Sequence, residues 1–361
     1  MNRYRVAQVG MGARGKVHAR GFLANADRFE LVGLCDLDKA RLTYGAEQCG
    51  VSAAYQDAEA MLADLRPDVF CFVTQPHLRL PMVELGLRYG VKAIALEKPM
   101  ATSLQEARAI TDLCRANGIK AVVSHQQKYL TSLQKVKQIV DAGEIGEVHT
   151  IQATCQAWLS QLGTHYMDYI LWLNGGRHAR WVVGHAHGKT KLSDSHPSCD
   201  YITGEALLEN GVRAIIECGY LSPSHMEASH FWLDNRLTAY GSHGYAWGDT
   251  NGRCGAFTRA SGGEVLGEQG ASWGEQEQNR LQPLYLSDLA DWLDDDRKVH
   301  PCNIEISYHG YEILEGLCIS AMDNTRVNLP FDVSQAYDMN ERMRRELPAV
   351  PALAVPIPIT P

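Results

Sequence analysis

The sequence has no run of eighteen apolar residues, which is about the length a membrane-spanning helix needs. It has no excess of positive charge: 34 Lys and Arg face 42 Asp and Glu, for a formal net charge of −8. Phosphate-rich partners require a basic face, so nucleic acid is excluded as the main partner. It also lacks any CxxC spacing. Its ten cysteines are scattered, mostly inside apolar runs, where a free thiol packs as a small hydrophobe. A reduced, cytoplasmic chain is expected, with no disulfide framework and no metal centre. The opening MNRYRVAQVG has no long apolar core of the kind a secretion signal carries, and reads directly as a strand.

Apolar residues make up 45% of the chain and charged ones 21%, an ordinary globular composition. At 361 residues the chain is long enough for two domains, each with its own core. In the first third, short apolar runs at Tyr4–Val9, Phe29–Cys35, Asp68–Thr74, Ala93–Leu96 and Ala121–Ser124 alternate with helical patterns. One helix opens on a capping box, Ser103 and Glu106, and stops at Gly118. This alternation predicts a parallel sheet covered on both faces, an α/β domain over residues 1–123. Residues 124–361 read differently. Many short strands with turn signals predict a largely antiparallel sheet with helices, an α+β domain that ends in a proline-rich tail. The glycine-rich stretch from Asn251 to Arg280 reads as an exposed loop or hairpin.

GMGARG, residues 10–15, follows the first strand and opens a helix, and Asp36 ends the next strand. Gly10, Gly12 and Gly15 permit a tight turn and close backbone approach, and the amides of Ala13 and Arg14 would face a pyrophosphate. Asp36 would accept the ribose hydroxyls, which favours NAD over NADP, although Lys39 and Arg41 lie just beyond it. Gly10 to Lys16 also matches the start of a P-loop, but Val17 offers no hydroxyl for a metal ion. Arg14 either touches phosphate or faces solvent. Thr74, at the end of the fourth strand, either lines the cofactor crevice or caps backbone.

The run IALEKPMA ends in Glu97-Lys98-Pro99. Ligands bind outside the carboxyl ends of the strands of such a sheet, and Lys98 sits at one. Pro99 allows a cis bond that re-aims the side chain before it. Lys98 would then hydrogen-bond a substrate hydroxyl and favour its ionisation. Glu97 would hold that ammonium or orient the nicotinamide side.

These features, with QVGMGARGKVHA, LEKPMATSLQEA, GEIGEVHTIQA, GTHYMDYILWLNGG and ISAMDNTRVNLP, resemble the Gfo/Idh/MocA oxidoreductases over roughly residues 4 to 330. The resemblance implies a Rossmann domain, an open-faced C-terminal sheet, a bound nicotinamide dinucleotide, and dimers or tetramers formed through that sheet. It also implies sugar or polyol substrates. Lys98 and His165 become the proton-handling pair, acting on one secondary alcohol as its hydride leaves. His165, read as lying at a helix N-terminus, is expected to stay neutral and serve as a base. Asp168, three residues on, shares its helix face. Many relatives carry Asp where Gln161 stands here, which loosens the inference to any one sugar. Gln127, Trp158, Gln161 and Asp168 are the candidate substrate-binding residues, with Trp158 placed to stack on a sugar ring or to pack in the core. Some relatives use the same residues in redox-neutral glycoside cleavage or epimerisation, the alternative function. His185 and His187 point the same way on a strand and could ligate jointly, but His196, His225, His230 and His243 show no ligand spacing, so no metal is expected.

Overall fold

The computed structural model describes residues 2–194, 197–226, 230–332 and 338–350, so His196 and the tail from residue 351 lie outside the described residues. The chain forms two compact units. The first joins residues 1–126 with 276–308, and the second joins 127–275 with 309–361.

The first unit is a six-stranded parallel sheet in the order β3-β2-β1-β4-β5-β6. Its strands are β1 (Tyr4–Val9), β2 (Phe29–Cys35), β3 (Ala54–Tyr55), β4 (Val69–Phe72), β5 (Ala93–Leu96) and β6 (Lys120–Val123). The helices between them are α1 (Ala13–Ala24), α2 (Lys39–Cys49), α3 (Ala58–Leu65), α4 (Arg79–Arg88) and α5 (Leu104–Ala116). The central strands VFCF and AIAL are buried along their whole length, because helices cover both faces and leave no side that tolerates polar residues. Side chains start the helices. Asp38 accepts the amides of Ala40 and Arg41, Asp57 that of Ala60, and Ser103 that of Glu106, supplying partners to amides that have none inside the helix. The buried face of α5 carries Leu104, Ala107, Ile110, Thr111 and Cys114, the spacing of one helical stripe.

Residues 276–308, expected in the second domain, group with the first unit. The helix Gln282–Asp294 buries Tyr285, Leu286 and Leu289. Arg28, nearly buried, pairs with Asp291 at 2.9 Å and Asp294 at 2.8 Å. An antiparallel bridge between Val122 and Asn303 covers the edge of β6. In sequence this segment interrupts the second unit, and long-range contacts of this kind bring it back to the first.

The second unit is a nine-stranded sheet. The first seven strands are β7 (Val148–Cys155), β8 (Ala179–His187), β9 (Tyr201–Leu208), β10 (Arg213–Gly219), β11 (Asn235–Gly241), β12 (Gly244–Asp249) and β13 (Cys254–Phe257). The last two are β14 (Glu264–Leu266) and β15 (Val327–Asn328). The order is β14-β13-β12-β11-β7-β10-β9-β8-β15, and β7 pairs with β10 in parallel while the other neighbours are antiparallel. The glycine-rich stretch forms a hairpin, β13–β14, but from Trp273 on it is helical and not loop. The helices α6 (Thr131–Asp141) and α7 (Thr164–Leu173) belong to this unit. The helix Ile304–Asp323 lies close to β8 and β9: a Cβ on Gly184 would meet the Leu317 carbonyl at 2.4 Å, and one on Gly204 the Leu317 side chain at 2.5 Å. Along β9, Ile202, Ala206 and Leu208 are buried, while Tyr201, Thr203, Glu205 and Leu207 are half-buried, the alternation of a sheet with one covered face. On the other face Arg213 grips Glu205 at 2.9 and 2.6 Å, and Tyr201 donates to Glu217 at 2.5 Å. Among the described residues no helix is long and apolar enough to cross a membrane.

Ser103→Ala removes the acceptor that starts α5, and is expected to lower the unfolding free energy by about 1 kcal/mol. Urea denaturation of the two proteins would measure it, and equal midpoints would show that the cap contributes nothing.

Candidate active site

In the first unit, residues expected at the cofactor site gather at the carboxyl ends of β1, β2, β4 and β5. Gly10 has φ +91°, and a Cβ there would lie 2.3 Å from the Val73 carbonyl oxygen; only glycine fits. A Cβ on Gly15 would lie 2.0 Å from the Gly10 carbonyl, whereas one on Gly12 would find nothing nearer than an Arg41 nitrogen at 3.8 Å. The turn is therefore tight at both ends and open at Gly12. Helix α1 starts at Ala13 with no side-chain cap and no acidic residue in its first turn, so the positive end of its dipole is left for an anion. Asp36 is held in place: one carboxylate oxygen accepts the Met11 amide at 2.7 Å and the other the Asp38 amide at 2.9 Å. Arg41 pairs with Asp38 at 3.1 Å. The open glycine turn, the uncapped helix and an oriented carboxylate fit a dinucleotide with free ribose hydroxyls.

The Arg14 guanidinium is held between two carboxylates, and the side chain is 35% exposed. It pairs with Glu97 at 3.2 Å and also with Glu277. Glu97, at the end of β5 and 5% exposed, accepts Arg14 Nε and His18 Nε2 on one oxygen, at 3.2 and 3.0 Å. Its other oxygen accepts the Lys98 amide at 3.1 Å. Burial acts to raise the Glu97 pKa, but Arg14, His18 and Lys98 together outweigh it and hold the carboxyl well below the usual carboxylate range. His18 is fully buried, and Gln282 donates to its Nδ1 at 3.0 Å. Nε2 therefore carries the hydrogen that Glu97 accepts. Burial, the largest influence, pushes the imidazole pKa below its usual 6.5, against the pull of Glu97.

Thr74 accepts from the buried Arg79 at 2.9 Å, and Arg79 also donates to the Pro99 carbonyl at 3.4 Å. Burial pulls the Arg79 pKa down to about 10, so it stays charged and ties the loop after β4 to the Glu97–Pro99 turn. The Lys98–Pro99 bond is cis, and Lys98 is half-buried. The His18, Arg79 and Glu277 roles were missed in the sequence. A single arginine in the apolar stretch TQPHLRL was the available signal for Arg79.

In the second unit, His165 and Asp168 lie on α7, both nearly buried. The expected helix N-terminus is corrected. A π-helical turn, Leu159–Gly163, runs directly into α7, so His165 sits well inside a longer helical segment, where the terminal dipole field has fallen away. Its Nδ1 instead lies 2.9 Å from the Tyr169 hydroxyl. Asp168 forms an ion pair with Lys128, the two side chains being 1% and 0% exposed. Gln127, next to that lysine, is buried, and its amide oxygen has no hydrogen-bond partner among the described residues. Gln161 lies in the π-helical turn, its amide bonded to the Trp158 carbonyl at 3.0 Å. Trp158 stacks on Phe231, with 5.4 Å between ring centroids, and Lys191 sits 4.2 Å over its ring; this is packing within the protein.

Among the described residues no group of three His, Cys, Asp or Glu side chains could hold a metal ion. His187 bonds Tyr220 at 2.8 Å and His225 bonds Thr154 at 2.7 Å.

Two family models match the chain. Residues 4–125 match "Oxidoreductase family, NAD-binding Rossmann fold", and residues 133–247 match "GFO/IDH/MocA C-terminal domain". The chain belongs to the Gfo/Idh/MocA oxidoreductase family. It is 26% identical over 239 residues to a D-apiose dehydrogenase of Paraburkholderia graminis, an alignment that spans 62% of each protein. A crystal structure of an oxidoreductase from Agrobacterium radiobacter in complex with NAD+, L-tartaric acid and magnesium superposes with a TM-score of 0.76. That match has 18% identity and covers 90% of this chain and 98% of that one. A levoglucosan dehydrogenase, solved with NADH and levoglucosan, superposes with a TM-score of 0.75 at 15% identity, covering 91% of this chain and 100% of that one. These similarities between structures establish the Gfo/Idh/MocA fold.

Two predictions follow from the buried charges. A base whose pKa falls on folding binds fewer protons in the folded state, so its contribution to stability is present above about pH 6.5 and lost as pH drops below it. Unfolding free energy should therefore decline on acidification from that pH, and His18→Gln, which keeps the donor to Glu97, should flatten the decline. The difference in slope is at most about 1.4 kcal/mol per pH unit; parallel curves would show that His18 does not titrate on unfolding. Lys128→Ala strands the buried Asp168 carboxylate and should cost about 3–5 kcal/mol. The same denaturation assay should show much of this recovered in Lys128→Met/Asp168→Leu, and a single variant as stable as wild type contradicts the pair's role.

Proposed function

We propose that this protein is an NAD-dependent dehydrogenase that oxidises a secondary hydroxyl of a sugar, polyol or sugar derivative. The observation that carries the proposal is the joint placement of the open glycine turn, the oriented Asp36 and the Glu97–Lys98 turn at the carboxyl ends of one parallel sheet. Nicotinamide, when bound, supplies the acceptor for the hydride. Gly10, whose own amide donates to the Cys35 carbonyl, shapes the turn; Gly12, Ala13 and Gly15 bind the pyrophosphate through backbone amides, and the Asp36 carboxylate takes ribose hydroxyls and repels a 2′-phosphate, so NAD is preferred to NADP. Lys98 polarises the substrate hydroxyl and supports the developing alkoxide. His165 takes the hydroxyl proton as the carbon–hydrogen bond gives up hydride and the carbonyl forms.

Other names point the same way: the apiose and levoglucosan dehydrogenases both act on carbohydrates. Gln161 and Gln127 bind substrate hydroxyls. Arg14 acts through Glu97, while Trp158 and Asp168 hold the substrate side through packing and ion pairing. Thr74 positions the turn after β5 through Arg79. Ten free thiols suit a cytoplasmic protein, and the uncovered face of the second unit's sheet suits a homodimer or homotetramer.

Sugars, polyols and uronates tested with NAD and NADP should yield NADH with at least one class. Lys98→Met should lower kcat by about two to three orders of magnitude and leave NAD affinity unchanged. Normal turnover in that variant refutes the role given to Lys98. Substrate conversion without accumulation of NADH replaces the dehydrogenase with a redox-neutral enzyme.

A further inference from the structure

We propose that Tyr169 is a positioning residue for His165: its phenol oxygen accepts the Nδ1 hydrogen and leaves Nε2 as the nitrogen that receives the substrate proton. The inference rests on the dehydrogenase reading for the use of that proton, but the hydrogen bond itself stands independently of it.

A neutral imidazole carries one hydrogen on two nitrogens, and the partner of one nitrogen decides what the other can do. In this protein the Nδ1 partner is a phenol at 2.9 Å. Positions 165 and 169 are four apart on α7, hence on one helix face. Both side chains are buried, His165 at 3% and Tyr169 at 0% exposure, so bulk water does not compete for the bond. The phenol ring is itself fixed. It packs edge-on against Tyr166 with centroids 5.3 Å apart, and the Tyr166 hydroxyl is 2.6 Å from that of Thr250. The carboxylate on the same helix, Asp168, is held by Lys128.

The usual orienting group for a basic histidine is a carboxylate. A phenol differs in one respect: it can donate as well as accept. With the hydrogen on Nδ1, Tyr169 accepts and Nε2 has its lone pair for substrate. With the hydrogen on Nε2, Tyr169 donates and Nε2 is useless as a base. Proton arrival at Nε2 resolves the choice, because the imidazolium must donate from Nδ1, and that charge-assisted bond is stronger than the neutral one. The contact thus tightens as the proton is transferred, without placing a second full charge beside the helix.

The test uses the whole unliganded protein with nitrogen-15-labelled histidine, His165 being assigned by its absence from the spectrum of His165→Asn. Tyr169→Phe keeps the ring and loses only the oxygen. The wild type should hold its hydrogen on Nδ1, and Tyr169→Phe should shift it toward Nε2. In the same variant kcat should fall roughly tenfold or more, with NAD affinity unchanged. Wild-type His165 protonated on Nε2 overturns the proposal. So does a Tyr169→Phe variant whose kcat falls with no change of tautomer, since that marks a packing role. Full turnover in His165→Asn removes the base and the proposal together. Absence of wild-type turnover on every carbohydrate overturns the dehydrogenase reading alone, and the nitrogen spectra still decide whether Tyr169 sets the tautomer.

Discussion

A buried carboxylate governs the first unit. Glu97 sits at the end of a fully buried strand, where an unpaired charge would cost several kcal/mol or force the group to neutralise. It remains ionised because three donors converge on it: the Arg14 guanidinium, the His18 ring and the Lys98 amide. The donors come from two pieces of the site. Arg14 and His18 belong to the helix that opens on the glycine turn, and Lys98 belongs to the cis-proline turn after β5. Satisfying one charge therefore sets the position of the dinucleotide turn relative to the lysine. Arg79 does the same work for the loop after β4, through Thr74 and the Pro99 carbonyl.

The second unit solves a similar problem with a pair of charges. Lys128 and Asp168 are buried together, and each makes the other tolerable there. Their pairing pins α7 to the turn that carries Gln127. His165 is one helical turn from that anchor, and its orientation comes from a phenol instead of the carboxylate. The helix that bears it begins earlier than α7, in a π-helical turn. Such turns shift the register of a helix and are frequent at functional sites.

Local signals were readable wherever the chain's own chemistry dictates the structure. Ser103 and Glu106 announced the start of α5, and Gly118, at φ +64°, follows its end. The runs VFCF and AIAL could only be buried parallel strands once helical patterns flanked them. GMGARG followed by Asp36 marked the dinucleotide turn because that geometry tolerates few other residues. Less was visible where partners are distant in sequence. The two-residue strand β3 has no pattern long enough to detect. The pairing of Arg14 was not legible, because its partners, Glu97 and Glu277, lie 83 and 263 positions away. The contacts of Trp158 with Phe231 and Lys191, 73 and 33 positions away, left no local signal.

By itself the sequence determined the alternation of strands and helices, the glycine turn, the acidic strand end and the lysine before proline. These depend on backbone sterics, hydrophobic periodicity and capping, which act within a few residues. Tertiary structure alone decided that residues 276–308 return to the first unit, that Glu97 collects His18 and Arg14, and that Tyr169 faces His165 while Lys128 takes Asp168. Those outcomes follow from the cost of burying a charge or a polar nitrogen without a partner. Such a partner is chosen by proximity in space, which no local pattern encodes.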